Sequence, residues 1–321
     1  MKKVPKILVV GSFIMDLIST TEKVPNEGET IIGLSFSTAP GGKGANQAVQ
    51  ASLLGADVTM VGKIGNDMFG NELVKSAQKA GVKTQYVIKD EKHASGIGNI
   101  SLEIKEGEKA KNRILLIPGA NMSLTVKDVE FLQEKISEYD FVMLQLEIPI
   151  EVNEAIISYA VQRGVPVMLN SAPSRDLPED LLNKLTYISP NEHEAFDLTG
   201  IKINEKDNCI DLESVKSVAS KLMERGVGTV IITLGSKGAA LMNKDKFIYQ
   251  PCIDIVKVID PTAAGDSFLG AFSTAVASGM PEEEALEFAS FTATVTVSRM
   301  GAQPSLPTRE EVLDLIKRTK R

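Results

Sequence analysis

Asp266 is the residue best placed to do chemistry. It stands in the run Asp260-Pro261-Thr262-Ala263-Ala264-Gly265-Asp266-Ser267-Phe268. The β-branched residues Ile253 to Ile259 predict a strand before it, and the small residues predict a tight turn. Phe268, Leu269, Phe272, Ala275 and Val276 then recur at helical spacing up to Gly279. Backbone N–H groups without side-chain bulk, at the positive end of a helix, can surround a phosphate or a developing negative charge. An acid beside such an anion site has two readings. Asp266 is either an N-cap or a base that takes a proton from an attacking hydroxyl.

A second glycine-rich turn, Gly41-Gly42-Lys43-Gly44-Ala45-Asn46, opens a helix from Ala45 to Leu54. It is neither a dinucleotide fingerprint, since Gln47 takes the place of the sixth-position glycine, nor a P-loop, since Gly44 follows Lys43. A cation, an amide and bare backbone suit a hydroxyl-rich ligand, though a close-packed helix start has the same composition. A third turn, Thr233-Leu234-Gly235-Ser236-Lys237-Gly238, follows a predicted strand. In open α/β sheets the turns at the carboxyl ends of strands converge on one crevice, so this turn and the Asp266 turn could share a nucleotide. Asn191-Glu192-His193-Glu194 falls at the same edge and could serve a metal-nucleotide or form a solvated first helical turn. His93 and His193 lack the partners of a metal site or triad.

These turns need a scaffold to hold them. Lys6 to Val10 reads as a buried strand ending at Gly11-Ser12, and Val58 to Val61 as another, followed by a helix from Asn71 to Ala80. From Ser123 onward, helices (Val126 to Ser137, Glu151 to Arg163, Pro178 to Lys184, Leu212 to Arg225) alternate with strands (Phe141 to Leu146, Val167 to Asn170, Tyr187 to Ser189, Thr229 to Thr233). Asn191 to Thr199 is a further predicted helix, and Ala239 to Met242 with Lys246 to Tyr249 a hairpin. Such alternation implies a mostly parallel sheet covered on both faces. The segments from Ile14 to Ser37 and from Gly96 to Ile117, with a charged tip at Lys105 to Asn112, read as ribbons. They form either one small sheet standing off the core or two unrelated hairpins.

The chain has 321 residues, 43% of them hydrophobic, enough for one large α/β domain with a smaller attachment. With 35 Lys and Arg against 42 Asp and Glu, the net charge of -7 disfavours nucleic acid and acidic lipid as partners and favours a small molecule. Two cysteines, Cys209 and Cys252, without metal-ligand spacing suit a reducing cytoplasm. The basic start leads into only a short apolar run, which reads as a first strand rather than a signal peptide, and no apolar run approaches membrane-spanning length.

Taken together, the chain resembles the ribokinase, or phosphofructokinase-B, family of carbohydrate kinases. The resemblance rests on Gly41 to Ala48, on Asp260 to Phe272, and on Gly11-Ser12 with Asp16, Gly119-Ala120-Asn121, Gln145-Leu146-Glu147, Pro190-Asn191-Glu192, Ile232 to Gly235 and Gly301 to Ser305, in order along essentially the whole chain. It implies a three-layer α/β/α core with a mostly parallel sheet (1–13, 38–97 and 116–321) and a β lid (14–37 and 98–115) that commonly pairs two subunits. The implied reaction transfers the γ-phosphoryl group of ATP to a sugar hydroxyl, carbon 5 in ribokinase. By likeness Asp266 is the general base, and the N–H groups of Ala264, Gly265 and Asp266 form the anion hole. Asp16, Gly42, Lys43, Asn46 and Glu147 would surround the sugar. Asn191, Thr233, Gly235, Ser236, Gly238 and Ser290 would hold the nucleotide, with Glu194 acting through water on the Mg²⁺-phosphate side. Asp260, Thr262, Thr296, Arg299, Gly301 and Ser305 match a potassium site, mostly through carbonyl oxygens. Other sugar or nucleoside kinases of the superfamily, and a non-catalytic sugar-binding regulator, are the rival readings.

The chain departs from the family pattern at two positions. Pro261 replaces a usual Thr and is expected to be neutral. Ile14 stands two residues before Asp16, where ribokinases usually carry an Asn that contacts the ring hydroxyls. The deoxyribokinase branch is similar in having an apolar residue there, which implies good acceptance of 2-deoxy-D-ribose; the alternative is a ribokinase whose lid supplies the missing contact. Apolar pockets reject an added hydroxyl only weakly, so discrimination against ribose would be incomplete.

Overall fold

The computed structural model describes residues 3–105, 111–207 and 209–320. Nine strands form one twisted sheet: β1 (Lys6–Val10), β4 (Asp57–Gly65), β5 (Lys83–Asp90), β8 (Phe141–Leu144), β9 (Val167–Asn170), β10 (Tyr187–Ser189), β13 (Thr229–Thr233), β14 (Gly238–Asn243) and β15 (Phe247–Pro251). Their order is β15-β14-β13-β10-β9-β8-β1-β4-β5. All neighbours run parallel except the hairpin β13-β14-β15 at one edge.

Strand residues alternate between two cores. Ile7 and Val9 of β1 join one apolar cluster, Leu8 and Val10 the other. Helices α1 (Lys43–Leu53), α2 (Met68–Lys79), α9 (Ala264–Ala277), α10 (Glu282–Val297) and α11 (Arg309–Thr319) supply the first cluster. Residues of α3 (Val126–Val129), α4 (Leu132–Lys135), α5 (Ile150–Gln162), α6 (Glu179–Leu182), α7 (Glu192–Thr199) and α8 (Leu212–Glu224) fill the second. A parallel sheet buried on both faces is the arrangement that near-continuous apolar strands require. The chain runs from β1 outward to β4 and β5, then restarts at β8 on the other side, so the topological switch lies between β1 and β8. Ligands of open α/β sheets bind outside the carboxyl ends of the strands at such a switch.

The two ribbons are one sheet, not unrelated hairpins: β2 (Ile14–Thr21), β3 (Ser35–Gly41), β6 (Gly96–Glu103) and β7 (Lys111–Ile117) pair in the order β3-β2-β6-β7. Of the charged tip, 106–110 lie outside the described residues. In this sheet Asp16 pairs with Ala39 and Gly98, and Gly98 with Leu116, so the face that carries Asp16 also carries Ile14, Ile18, Ile100 and Ile114.

Three local expectations are corrected. Ile253 to Ile259 form no strand; the segment is irregular, and its end is tied by the N–H groups of Ile259 and Asp260 to Val297 O, at the last turn of α10. Its β-branched side chains instead wall a cleft, and Ile253, Val256 and Val258 line it. The helix expected over Val126 to Ser137 is broken at Glu130 and Phe131 into α3 and α4. Strand β5 was not expected: its apolar residues are diluted by Lys83, Gln85 and Lys89, as suits the edge of a sheet. A two-residue ladder, β11 (Glu205–Lys206) with β12 (Cys209–Ile210), completes the strands. Both cysteines are free and exposed, and no helix among the described residues is long and apolar enough to cross a membrane.

Candidate active site

Helix α9 begins with Ala263 as its N-cap, in the left-handed conformation at φ 60° and without a side-chain cap. Such a backbone state is costly for a non-glycine residue and is found where a site is over-determined by its surroundings. Asp266 is therefore three residues inside the helix, and the cap reading of it fails. Its side chain is 7% exposed. One carboxylate oxygen accepts from Asn46 Nδ2 at 2.9 Å and the other from Gln47 Nε2 at 2.9 Å.

Those amides arrive because α1 lies close on α9. A Cβ on Gly270 would stand 2.9 Å from Gln50 Cβ and 3.0 Å from Gln47 O. Only glycine allows that approach. Helix geometry leaves the N–H groups of Gly265 and Asp266 without intrahelical acceptors, while the Ala264 N–H reaches Pro261 O at 3.2 Å. A Cβ on Gly265 would meet nothing within 4 Å, so the space before these donors is open.

The turn before α1 is pinned to the switch point. Glu147, just past β8, accepts from Ser12 Oγ and, at 2.9 Å, from Lys43 N. Ser12 Oγ also accepts from Gly44 N at 3.2 Å. A Cβ on Gly44 would come within 2.5 Å of Ser12 N, which explains the glycine. Asn121 closes the other side, accepting from Phe13 N (2.9 Å) and donating to Phe13 O (2.8 Å). Asp16 projects from β2 into the gap between two glycines: a Cβ on Gly41 would lie 2.9 Å from its Oδ2 and one on Gly98 2.6 Å from its Oδ1. Ile14, on the same face of β2, is 3% exposed.

Charge is concentrated here. Burial, with help from the neighbouring Glu147, raises the Asp16 carboxyl to about 6. Burial also raises Glu147, against the pull of Lys43 and Ser12, and raises Glu194. Burial alone would lower the Lys43 ammonium, but Asp266, Glu147 and Glu194 together hold it above its ordinary value. Carboxylates from three separate parts of the chain thus favour the charged form of Lys43.

On the other side of Ala264 and Gly265 lies a cleft of about 740 Å³. Asn191, Thr233, Gly235, Ser236, Gly238 and Ser290 all line it, as do Ala264 and Gly265 themselves. Glu194 does not line it; it sits behind Asn191 in a reciprocal capping box at the start of α7 and is buried, not solvated. Gly238, at φ 109°, lets β14 pass Gln250 O, which a Cβ would meet at 2.1 Å.

Of the six residues matched to a cation site, Asp260, Thr262 and Gly301 are joined directly. Asp260 Oδ1 accepts from Thr262 N (2.9 Å) and Thr262 Oγ1 (2.6 Å), and its Oδ2 accepts from Gly301 N (2.8 Å), which joins the two loops. Thr296 Oγ1 and Ser267 Oγ lie 2.6 Å apart, tying α10 to the first turn of α9. Ser305 Oγ donates to Ala302 O, and the Arg299 guanidinium is turned away onto Glu311 at 2.5 Å. Among the described residues no cluster of three His, Cys, Asp or Glu could hold a metal; the carboxylates that line the cleft are Glu192 and Asp254, with Glu194 behind Asn191.

Gln47, Gln145, Ser12 and Asn121 belong to the motifs read in the sequence but were given no role there; in the structure they are the partners that hold the site together. Gln47 and Gln145 are both fully buried, and Gln145 Nε2 donates to Gln47 Oε1 at 2.8 Å. Two adjacent amides after a glycine turn, Asn46 and Gln47, on the buried side of a helix were the available signal.

Residues 4–309 match the pfkB family carbohydrate kinase description. The chain is 42% identical over 315 residues to a ribokinase of Schizosaccharomyces pombe, covering 95% of this chain and 96% of the relative. It is 33% identical over 306 residues to a deoxyribokinase of Salmonella typhimurium, covering 95% and 96%. The structure of Arabidopsis thaliana ribokinase complexed with ribose and ATP superposes with a TM-score of 0.88 at 34% identity, over 98% of this chain and 99% of that one.

Proposed function

The chain belongs to the pfkB family of carbohydrate kinases, and from that premise we propose that it is an ATP-dependent pentose kinase. It transfers the γ-phosphoryl group to the 5-hydroxyl of D-ribose, 2-deoxy-D-ribose or both. The observation that carries the reading is the position of Asp266. It lies at the boundary between the cleft lined by Ala264 and Gly265 and the turn that carries Lys43 and Asn46, with both oxygens oriented by amides.

In this reading the nucleotide occupies the cleft over Asn191, Thr233, Gly235, Ser236, Gly238 and Ser290, and its terminal phosphate reaches the N-terminus of α9. The sugar lies across Gly42 and Asn46, with its hydroxyls on Asp16 and Glu147. Asp266 accepts the proton of the 5-hydroxyl as that oxygen attacks phosphorus and the bond to the ADP oxygen breaks. The N–H groups of Ala264, Gly265 and Asp266, together with Lys43, stabilise the charge that spreads over the transferring group; Ala264 gives up Pro261 O to do so. A magnesium ion, when bound, neutralises phosphate charge, and Glu194 would orient its water. A potassium ion held by Asp260, Thr262, Thr296, Arg299, Gly301 and Ser305 would order the hole from outside.

The small sheet serves as a lid over the sugar, and its apolar surface pairs two copies of the chain. Phe36 is 65% and Leu115 61% exposed, and they lie on the face opposite Asp16. Such exposure is the mark of an interface. The free, exposed Cys209 and Cys252 suit a reducing compartment, and the cytoplasm is the proposed one. A coupled assay of ADP release with a pentose panel, run with and without potassium, tests the whole reading. Turnover with ribose or 2-deoxyribose supports it, and no turnover with any sugar refutes it.

A specific observation favours 2-deoxyribose as a substrate. Ile14 is buried beside Asp16 on the same face, so the lid presents a methyl group where an amide could have met a ring hydroxyl.

A further inference from the structure

Two buried amide side chains in series end on Asp266. Gln145 Nε2 donates to Gln47 Oε1 (2.8 Å), and Gln47 Nε2 donates to Asp266 Oδ1 (2.9 Å). Behind them Asn153 Nδ2 donates to Gln145 O (3.0 Å), which fixes the backbone of the last link just past β8. Gln47 and Gln145 are fully buried.

The direction of this chain is forced from one end. A carboxylate can only accept, so Gln47 must present its NH₂ to Asp266. Its Oε1 then faces Gln145, which must in turn present its own NH₂. Turning either amide over would set oxygen against oxygen. The far end shows the cost of this polarity. Gln145 Oε1 is buried without a donor, against the backbone of Gly11, where a Cβ would lie 2.0 Å away. A buried acceptor left unpaired is expensive. An isolated packing role would turn the amide to whichever side offered a partner.

We propose that Gln47 and Gln145 form a one-way amide relay that positions the Asp266 carboxylate for proton transfer, a proposal that rests on the reading of Asp266 as the base. Gln145 touches neither substrate site nor Asp266; it acts by denying Gln47 the flipped orientation. Both are positioning residues. With Asn46 fixing Oδ2, the relay fixes Oδ1, so the plane of the carboxylate is set before the sugar binds.

The test is a double-mutant cycle on the full chain, with Gln47→Met, Gln145→Met, the pair together, and Asp266→Asn as a separate arm. kcat and the KM values for sugar and ATP are measured for each, along with the melting temperature. The relay predicts a fall in kcat of about 10- to 100-fold for Gln47→Met, the loss of one hydrogen bond to a charged group, with KM values within about threefold. Gln145→Met lowers kcat several-fold, and the double variant loses no more than Gln47→Met alone, since Gln145 acts only through Gln47. Should Gln145→Met not fold, Gln145→Leu takes its place. Additive losses, or a Gln47→Met kcat near wild type, overturn the relay while Asp266→Asn remains inactive. An active Asp266→Asn overturns the base reading, and the relay with it.

Discussion

Asp266 and Asn46, 220 positions apart in the chain, meet at 2.9 Å. The contact joins the first turn of α9 to the first turn of α1, so the proposed base is oriented by the helix whose glycine turn carries Lys43. Everything else in the site can be ordered around that joint.

Gly270 sets the closeness of the joint. Helix propensity alone predicts that Gly270→Ala stabilises the protein by about 1 kcal/mol. The added methyl, however, would stand 2.9 Å from Gln50 Cβ and 3.0 Å from Gln47 O. Overpacking of this kind costs about 1 to 3 kcal/mol, so the expected net result in urea denaturation is a loss of stability, with a lower kcat as α1 is displaced. A gain in stability would show that the helices have room to spare.

Asp16 carries a trade-off between stability and binding. Its carboxyl is raised to about 6, first by burial and then by Glu147. The native state therefore holds the proton more tightly than the unfolded chain does. The contribution of Asp16 to stability is fully present below the unfolded value of 3.8 and is lost as pH rises through about 6. Asp16→Asn removes that penalty. Discounted for partial exposure, its stabilising effect should be about 1 kcal/mol larger at about pH 8 than at about pH 5, while the sugar KM rises. Equal effects at the two pH values would refute the buried-charge account.

Ile14→Asn would restore an amide beside Asp16. The ratio of kcat/KM for ribose over 2-deoxyribose should rise about 10- to 100-fold, the worth of one hydrogen bond otherwise missing. A wild-type preference for ribose of about tenfold or more would end the case for 2-deoxyribose, because an apolar pocket cannot produce it.

The apolar lid predicts a dimer. Light scattering should give twice the chain mass for the wild type, and Ile114→Lys with Leu115→Lys, which places a charge on each face of β7, should give the monomer with the core fold intact. A monomeric wild type would remove the lid from the assembly.

Much of this was legible before any coordinates. The two glycine turns, the strands of the central sheet and the ribbon character of the small sheet follow from local chemistry: glycine where backbone must pass backbone, β-branched runs where both faces are covered. The segment Ile253 to Ile259 misled because the composition that suits a strand also suits the wall of a cleft, and a single sequence does not say whether a hydrogen-bonding neighbour exists. Strand β5 was hidden by the charges an edge strand carries. The pairing of Gln47 with Gln145 was out of reach for another reason. They lie 98 positions apart, and nothing local distinguishes a buried glutamine in a relay from any other.

The most direct test of the account is sugar-dependent ADP release by the wild type and by Asp266→Asn, which keeps the size of the side chain but removes its charge and can accept from only one of Asn46 and Gln47. The account predicts that kcat falls about 10²- to 10⁴-fold, the usual worth of a general base, while the sugar KM changes little. A variant that turns over within about tenfold of the wild type would show that Asp266 is not the base.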